Sequence, residues 1–493
     1  MNTSLNAARR LAELERVRVE TVDVLVVGLG ATGAGVALDA ASRGLTVAAI
    51  DAHDLAFGTS RWSSKMIHGG LRYLAKGQVG VARESAVERG ILLARTAPHL
   101  VRAAPYLLPL TPGVSRAQAA LVMTGYRMGD GLRAAARTPR RLLPGPCRLP
   151  SAKARELAPV LRERGLRGAL LSWDGRLVDD ARLVVAIART AAGHGARILT
   201  RCRALELHRD GAQVRDERTG ESFTIRARAV INAAGVWAGG LNPDLRLRPS
   251  RGTHLVLRGE TLPGLRAGLH VPIPGESNRF ALVLPQSDGR IHVGLTDEPL
   301  EGPVPDVPEV PEADVSALLT VLNTVLEVPV TRSQVAGAYA GLRPLLEAEG
   351  RTADLSRRHA VLTSTDEVIT VTGGKLTTYR RMAQDAVDWA VRLRDLPAGP
   401  CVTHRLPLVG AQAFDGSSRL AERYGGEAEA VRRLAEEHPE PVGTGLTLGE
   451  LVWAVRHEGA LDEADLLDRR TRIGLVPEDR AAATAAARHA LTL

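Results

Sequence analysis

The stretch from Asp23 to Asp51, DVLVVGLGATGAGVALDAASRGLTVAAID, constrains the fold more than any other part of the chain. An apolar run ends in Gly28-Leu29-Gly30-Ala31-Thr32-Gly33, an Ala-rich helical run follows, and a second apolar run ends in Asp51. This is the pattern of a dinucleotide-binding strand, helix and strand. Gly28 permits the tight turn, Gly30 lets the backbone approach a pyrophosphate, and Gly33 lets the helix pack closely on the strand, which leaves an anion on the helix N-terminus. Asp51 falls about 20 residues on, where an acid hydrogen-bonds a ribose hydroxyl. An ordinary glycine-rich turn explains the glycines but not that acid.

At 493 residues the chain is long for one core, so two or three substructures are expected. No uncharged apolar run reaches the ~18 residues that would span a bilayer, and the N-terminus lacks a signal-peptide core, which predicts a cytoplasmic protein. Cys147, Cys202 and Cys401 form no C-x-x-C, and the histidines show no metal-ligand spacing, so no metal is expected. The net charge of +9 fits a polyanionic partner, an anionic membrane surface or simply an arginine-rich composition, and composition alone favours the last; the strings HGGLRYL and GGKLTTYR speak against a nucleic-acid partner. Of the 64 basic residues only Lys65, Lys76, Lys153 and Lys375 are lysine. A lysine kept against that bias points to a need for a compact or titratable ammonium. Lys65 and Lys375 sit in Gly-rich stretches, whereas Lys76 and Lys153 read as surface residues.

Residues Met1 to Glu20 read as a short polar helix, a docked or frayed arm with Leu5, Leu11, Leu14 and Val17 on one side. Asp54 to Leu74 is a long irregular segment carrying Lys65, His68, Arg72 and Tyr73, and such segments in compact domains are usually functional. The buried run Ala229 to Gly235 ends in small residues that let a backbone lie against a ligand. From Ser250 to Asp297 short strands broken by Pro and Gly predict an antiparallel sheet in a second domain. Glu367 to Tyr379 repeats strand, glycine turn and helix, and beyond Pro397 the chain turns helical and highly charged. Those basic C-terminal helices read as solvated faces, and Trp173, Trp237 and Trp453 as core. Gly373-Gly374-Lys375 lacks the first glycine and the Ser or Thr of a phosphate-binding P-loop, and no G-x-S-x-G elbow occurs.

The strings GLGATGAG, TSRWSSKMIHGGLRYL, VINAAGVWA, GTHLVL, GLTDE, AGLRPL and GGKLTTYR together resemble the FAD-dependent glycerol-3-phosphate dehydrogenases, from about Asp23 to Arg381. The tail DLLDRRTRIGL resembles that family's C-terminal helical region. The resemblance implies an α/β fold: a Rossmann-like FAD-binding domain of glutathione-reductase type, an antiparallel-sheet substrate domain and a C-terminal helical domain. The boundaries it suggests are 21–98, 165–240 and 355–396 for FAD, 99–164 and 241–354 for substrate, and 400–493 for the helical domain.

FAD is the implied cofactor, with contacts at Gly28, Gly30, Gly33, Asp51, Thr59, Ser60, Ser64, Lys65, His68, Ala233, Gly235, Gly373, Gly374, Leu376 and Thr377. The substrate contacts it implies are Arg72, Tyr73, His254, Arg343, Arg357 and Lys375, with Arg358 as the alternative to Arg357. His254 is the titratable candidate for the base, and Arg343 and Lys375 are the electrostatic catalytic groups. A phosphate dianion favours planar Arg plus a point-charge Lys, which agrees with these types. The implied reaction oxidises sn-glycerol 3-phosphate to dihydroxyacetone phosphate. Electrons then pass to a quinone, with the protein held peripherally on the inner face of the cell membrane and a homodimer as the candidate assembly. An oxygen-using oxidase of the same substrate, or a non-enzymatic FAD-bound scaffold, are the competing readings.

Overall fold

The computed structural model describes residues 2–70, 73, 77–276, 279–347, 358–412, 416 and 418–493. Its first sheet is built on Val22–Val27, whose apolar residues are buried on both faces, as a central parallel strand requires. Val22–Val27 lies between Ser222–Asn232 and Val47–Ile50, parallel to both. Arg197–Leu199 extends the parallel sheet on one side and Ile369–Gly373 on the other. Cys202–His208, Gly211–Asp216 and the start of Ser222–Asn232 form an antiparallel meander that leaves the sheet. Helices Asp180–Gly193 and Tyr379–Arg394 each pack against Ala31–Ser42. Their alanines and glycines allow close approach: a Cβ on Gly35 would lie 2.9 Å from the Tyr379 ring. This is the expected glutathione-reductase-type arrangement.

The second sheet has ten strands and carries Ser250–Arg258 and Val335–Arg343 side by side, antiparallel, with His254 opposite Tyr339. Helix Glu312–Asn323 covers one face through Val315, Leu318, Leu319 and Leu322. The boundary expected at residue 165 does not follow this sheet. Ala169–Leu177 pairs along its whole length with Val101–Pro109, and Met66–Ile67 joins its other edge, so both belong to the second sheet. Continuous ladder pairing of nine residues outweighs the sequence proximity of Ala169–Leu177 to the helix that follows it. One pair, Gly268 and Leu269 with Tyr106 and Leu107, is parallel within the otherwise antiparallel sheet.

The C-terminal region has its own apolar core around Leu451, Val452, Leu466, Leu467 and Ile473. Its basic residues are not simply a solvated face. Arg470 is fully buried against Asp54 at 2.7 Å, Arg469 meets the same carboxylate at 2.5 Å, and Arg182 pairs bidentately with Glu458 at 2.8 and 2.7 Å. Arg472 reaches Asp179 and Asp180. These pairs cross between the C-terminal region and the FAD-binding part, with Asp54, Asp179 and Asp180 covering C-terminal arginines and Glu458 covering Arg182.

The N-terminal arm is docked. Leu5 pairs with the backbone of His457 and Gly459, Leu14 and Val17 are buried, and Arg10 meets Asp216 at 2.7 Å. Cys147 is exposed, Cys202 buried and Cys401 intermediate, all three as free thiols. Lys153 is a surface residue, and Lys76 lies outside the described residues.

Candidate active site

The glycine turn folds as its spacing dictates. Gly28 has φ +103°, and a Cβ there would lie 2.6 Å from the Ala233 carbonyl oxygen, so the ends of two neighbouring strands close on each other. A Cβ on Gly33 would run into the Gly28 carbonyl, 2.9 Å from its carbon. Gly30 caps helix Ala31–Ser42, and the Ala31 N–H donates to Ser60 Oγ at 2.9 Å. The Asp51 carboxylate accepts from Leu29 N at 2.7 Å and His53 N at 2.8 Å, so it braces the turn as well as facing the cavity. Burial pushes its carboxyl up to about 6 against those two amides.

These residues open onto a cavity of about 1360 Å³. That exceeds the 300–1,000 Å³ usual for one drug-sized ligand, which leaves room for an extended dinucleotide and a small substrate together. Its walls include Gly28, Gly30, Asp51, Thr59, Ser60, Ser64, His68, Ala233, Gly235, Gly373, Gly374, Leu376 and Thr377. Tyr73, His254, Arg343 and Lys375 line the same space. The cradle that a Cβ would fill, the helix N-terminus and the acid at the second strand's end fit FAD on the structure's own terms.

Two predicted residues stand elsewhere. Gly33 lies behind the turn. Lys65 is buried under the loop, its Nζ 2.9 Å from Asp180 and donating to the Arg61 carbonyl at 2.8 Å. Burial, reinforced by Arg472, pushes that ammonium down to about 7, against the pull of Asp180. Arg72 and Arg357 lie outside the described residues. Arg358, the alternative, sits with its guanidinium beside Gly80.

The three catalytic candidates line the one cavity from different elements. Lys375 follows Gly373 and Gly374, whose φ values of +75° and +69° turn the chain out of its strand. Its Nζ reaches Ser85 Oγ and lies 4.0 Å from the Tyr73 ring centroid. Arg343 ends strand Val335–Arg343 and donates to Ser250 Oγ at 3.1 Å and Asp297 Oδ1 at 3.2 Å. His254 stacks on Tyr339 with ring centroids 4.8 Å apart, and its Nε2 is 2.8 Å from Ser64 Oγ. Burial first, then the nearby Lys65 and Arg343 cations, push its imidazole down to about 3, so it is neutral at pH 7.

Sequence reasoning missed several residues that shape this site. Gly294 leaves the space that the His254 ring fills. Trp62 lines the cavity and lies 5.5 Å from Tyr339, ring to ring. Trp237, expected in the core, also lines the cavity and packs over Gly58, where a Cβ would lie 2.7 Å from its ring. The only available signal was the position of both tryptophans inside Gly- and Ser-rich stretches. Among the described residues no cluster suited to a metal ion occurs, and no helix is long and apolar enough to cross a membrane.

Comparison with known proteins bears on the family, the fold and the cofactor. The family model for FAD dependent oxidoreductases matches residues 23–380, and that for the C-terminal domain of alpha-glycerophosphate oxidase matches 401–492. The chain is 53% identical to glycerol-3-phosphate dehydrogenase 1 of Mycobacterium tuberculosis, covering 100% of this chain and 99% of that protein. The glycerol-3-phosphate dehydrogenase from Bacillus halodurans complexed with FAD superposes with a TM-score of 0.77 at 26% identity, over 99% of this chain and 94% of that one. An L-alpha-glycerophosphate oxidase from Mycoplasma pneumoniae with FAD bound shares the fold at a TM-score of 0.59 and 18% identity, over 79% of this chain and 99% of that one.

Proposed function

The chain belongs to the family of FAD-dependent glycerol-3-phosphate dehydrogenases, and on that premise we propose that it oxidises sn-glycerol 3-phosphate to dihydroxyacetone phosphate and delivers the electrons to a quinone. The observation that carries this reading is the meeting of His254, Arg343 and Lys375 in the cavity that the dinucleotide turn opens onto.

Each group has a task its chemistry suits. Lys375 and Arg343 hold the phosphate dianion, the first as a point charge and the second as a planar donor. This selects the phosphorylated alcohol over free glycerol. The glycine turn and Asp51 would hold FAD, which when bound would supply the acceptor for a hydride from C2. As that C–H bond breaks, the C2 hydroxyl proton passes, directly or through Ser64 Oγ, to Nε2 of the neutral His254 imidazole, and the C–O bond becomes the ketone of the product. Burial chiefly, and the Lys65 and Arg343 cations with it, depress the imidazole, and the substrate's negative charge offsets the share of those cations when the site is filled. Arg343 stabilises the developing alkoxide, and Ser64 fixes the ring through Nε2.

Quinone as acceptor places the protein peripherally on a membrane surface, supported by a net charge of +9 that anionic lipids attract. The test is anaerobic addition of glycerol 3-phosphate to the purified holoenzyme, followed by a comparison of quinone-analogue reduction with oxygen uptake. Bleaching of the flavin band with preferential quinone reduction is expected. An unbleached flavin would overturn the substrate assignment, and brisk peroxide release without quinone reduction would overturn the acceptor.

A further inference from the structure

We propose that Arg472, supplied by the C-terminal region, is a positioning residue for the active-site loop. In this role the C-terminal region completes the catalytic centre without touching the substrate. The role rests on the assignment of His254 to the reacting centre.

The path is a run of buried contacts. Arg472 stands just beyond the helical turn Asp465–Arg470 in a left-handed backbone conformation, φ +62°. Its Nη1 lies 3.1 Å from Asp180 Oδ1 and 3.4 Å from Asp179 Oδ1. The other oxygen of Asp180 accepts from Ser63 N at 3.0 Å, from Ser63 Oγ at 2.7 Å and from Lys65 Nζ at 2.9 Å. Between Ser63 and Lys65 stands Ser64, whose Oγ is 2.8 Å from His254 Nε2. One carboxylate from the first turn of helix Asp180–Gly193 thus grips the loop on both sides of the serine that orients the histidine.

Two adjacent buried aspartates repel each other, and burial penalises both unless cations compensate them. Arg472 bridges them. Lys65 alone cannot serve both, because its Nζ is paired with Asp180 and its own charge is penalised by burial. Arg423 reaches only Asp179, at 3.4 Å. Without Arg472 the Asp180 Oδ1 keeps, among the described residues, only the Ala181 N–H at 3.1 Å, and the two carboxylates lose the cation that bridges them, so the repulsion between them acts on the carboxylate that grips the loop. Ser63 to Lys65 become free to shift, and the Ser64 contact to His254 loses its fixed geometry. A displacement of about 1 Å at a reacting group costs on the order of 100-fold in rate.

The experiment compares holoenzyme variants. Arg472→Ala should keep bound FAD and its KM for glycerol 3-phosphate, because the glycine turn, Lys375 and Arg343 are untouched. Its kcat should fall by about 10- to 100-fold. Backbone amide exchange at Ser63 to Met66 should quicken, while Val22–Val27 exchanges as in the wild type. Arg472→Lys should restore part of kcat. Glu458→Gln removes a buried pair between the same two regions without touching the loop, so it should lower Tm yet leave kcat of the folded protein unchanged. Should Arg472→Ala fail to fold, Arg472→Gln decides in its place. Wild-type kcat and loop exchange in the arginine variant would overturn the proposal, as would a kcat loss that Glu458→Gln reproduces in step with Tm. If the wild-type flavin is not reduced by glycerol 3-phosphate, the substrate assignment fails, while exchange at the loop still decides the positioning role.

Discussion

Adding one methyl group at Gly33 tests whether the glycine turn holds FAD in the way its geometry implies. A Cβ there would sit 2.9 Å from the Gly28 carbonyl carbon and overlap its oxygen. Carbon atoms rest at about 3.5–4.0 Å, so the helix start must retreat from the strand by at least about 0.6 Å. Overpacking of this kind costs about 1–3 kcal/mol, and Ala in place of Gly within a helix returns about 0.5–1 kcal/mol. The flavin-free variant should relieve the clash by letting the first helical turn move outward. The bound form cannot, because the pyrophosphate needs that turn in place. The strain therefore falls on binding, and at 1.4 kcal/mol per factor of ten the FAD dissociation constant should rise by about 5- to 150-fold.

Gly35→Ala is the matched control: its Cβ meets the Tyr379 ring at 2.9 Å, a side chain on another helix and not the phosphate-binding backbone. It should cost stability and leave FAD affinity nearly intact. Flavin fluorescence titration of both apoproteins, alongside Tm, separates the two. Wild-type affinity in Gly33→Ala would refute the steric argument, as would equal losses in the two variants.

Other outcomes follow from the same structure. Arg343→Ala and Lys375→Ala should each raise the barrier by about 2–5 kcal/mol in kcat/KM for glycerol 3-phosphate, and turnover of free glycerol at the same rate would remove them from the phosphate site. Glu458→Gln should destabilise the fold by about 3–5 kcal/mol in urea, because it leaves Arg182 buried without its partner. Burial alone would raise the Glu458 carboxyl, but Arg182 carries it down to about 2. A depressed folded value means that its contribution is complete above the ordinary 4.5 and drains away as pH falls toward 2, so the acid limb of the wild-type stability curve should flatten in Glu458→Gln. Asp51 runs the other way. A ribose hydroxyl donating to it favours the ionised form, so FAD affinity should weaken as pH drops through about 6, and Asp51→Asn should lose that dependence. Binding to anionic vesicles should fall as salt rises, and vesicle sedimentation unaffected by salt would exclude a purely electrostatic contact.

The sequence was most legible where structure is local. From Asp23 to Asp51 every residue type, turn and spacing needed for the unit lies within one stretch, and the turn forms as read. The cavity-facing set was legible through the glycine turns at Gly28 and Gly373 and through the scarcity of lysine. That scarcity pointed correctly to Lys65 as exceptional, but its partner Asp180 stands on a distant helix, so a buried ion pair was read as a ligand contact. The C-terminal arginines were misread for the same reason. Periodicity shows which residues share a face, not which acid from elsewhere in the chain covers it, and Arg469, Arg470 and Arg472 are buried only because Asp54, Asp179 and Asp180 meet them. Ala169–Leu177 failed on pairing, since a strand's sheet is chosen by its neighbours and not by its own composition.

The buried pairs between the two ends of the chain also set a clock on its synthesis. Asp54 and Arg470 are 416 residues apart in sequence. A ribosome adding about 5–20 residues per second needs about 20–80 s to cover that distance. Throughout that interval Asp54 lacks Arg469 and Arg470, Asp179 and Asp180 once made lack Arg472, and the N-terminal arm has no Gly459 to meet. The FAD-binding sheet itself waits for Ile369–Gly373, and on the role proposed for Arg472 the loop that carries Ser64 waits longer still. A premature stop within the final helices would therefore yield a chain with an almost complete nucleotide fold and no settled reaction centre.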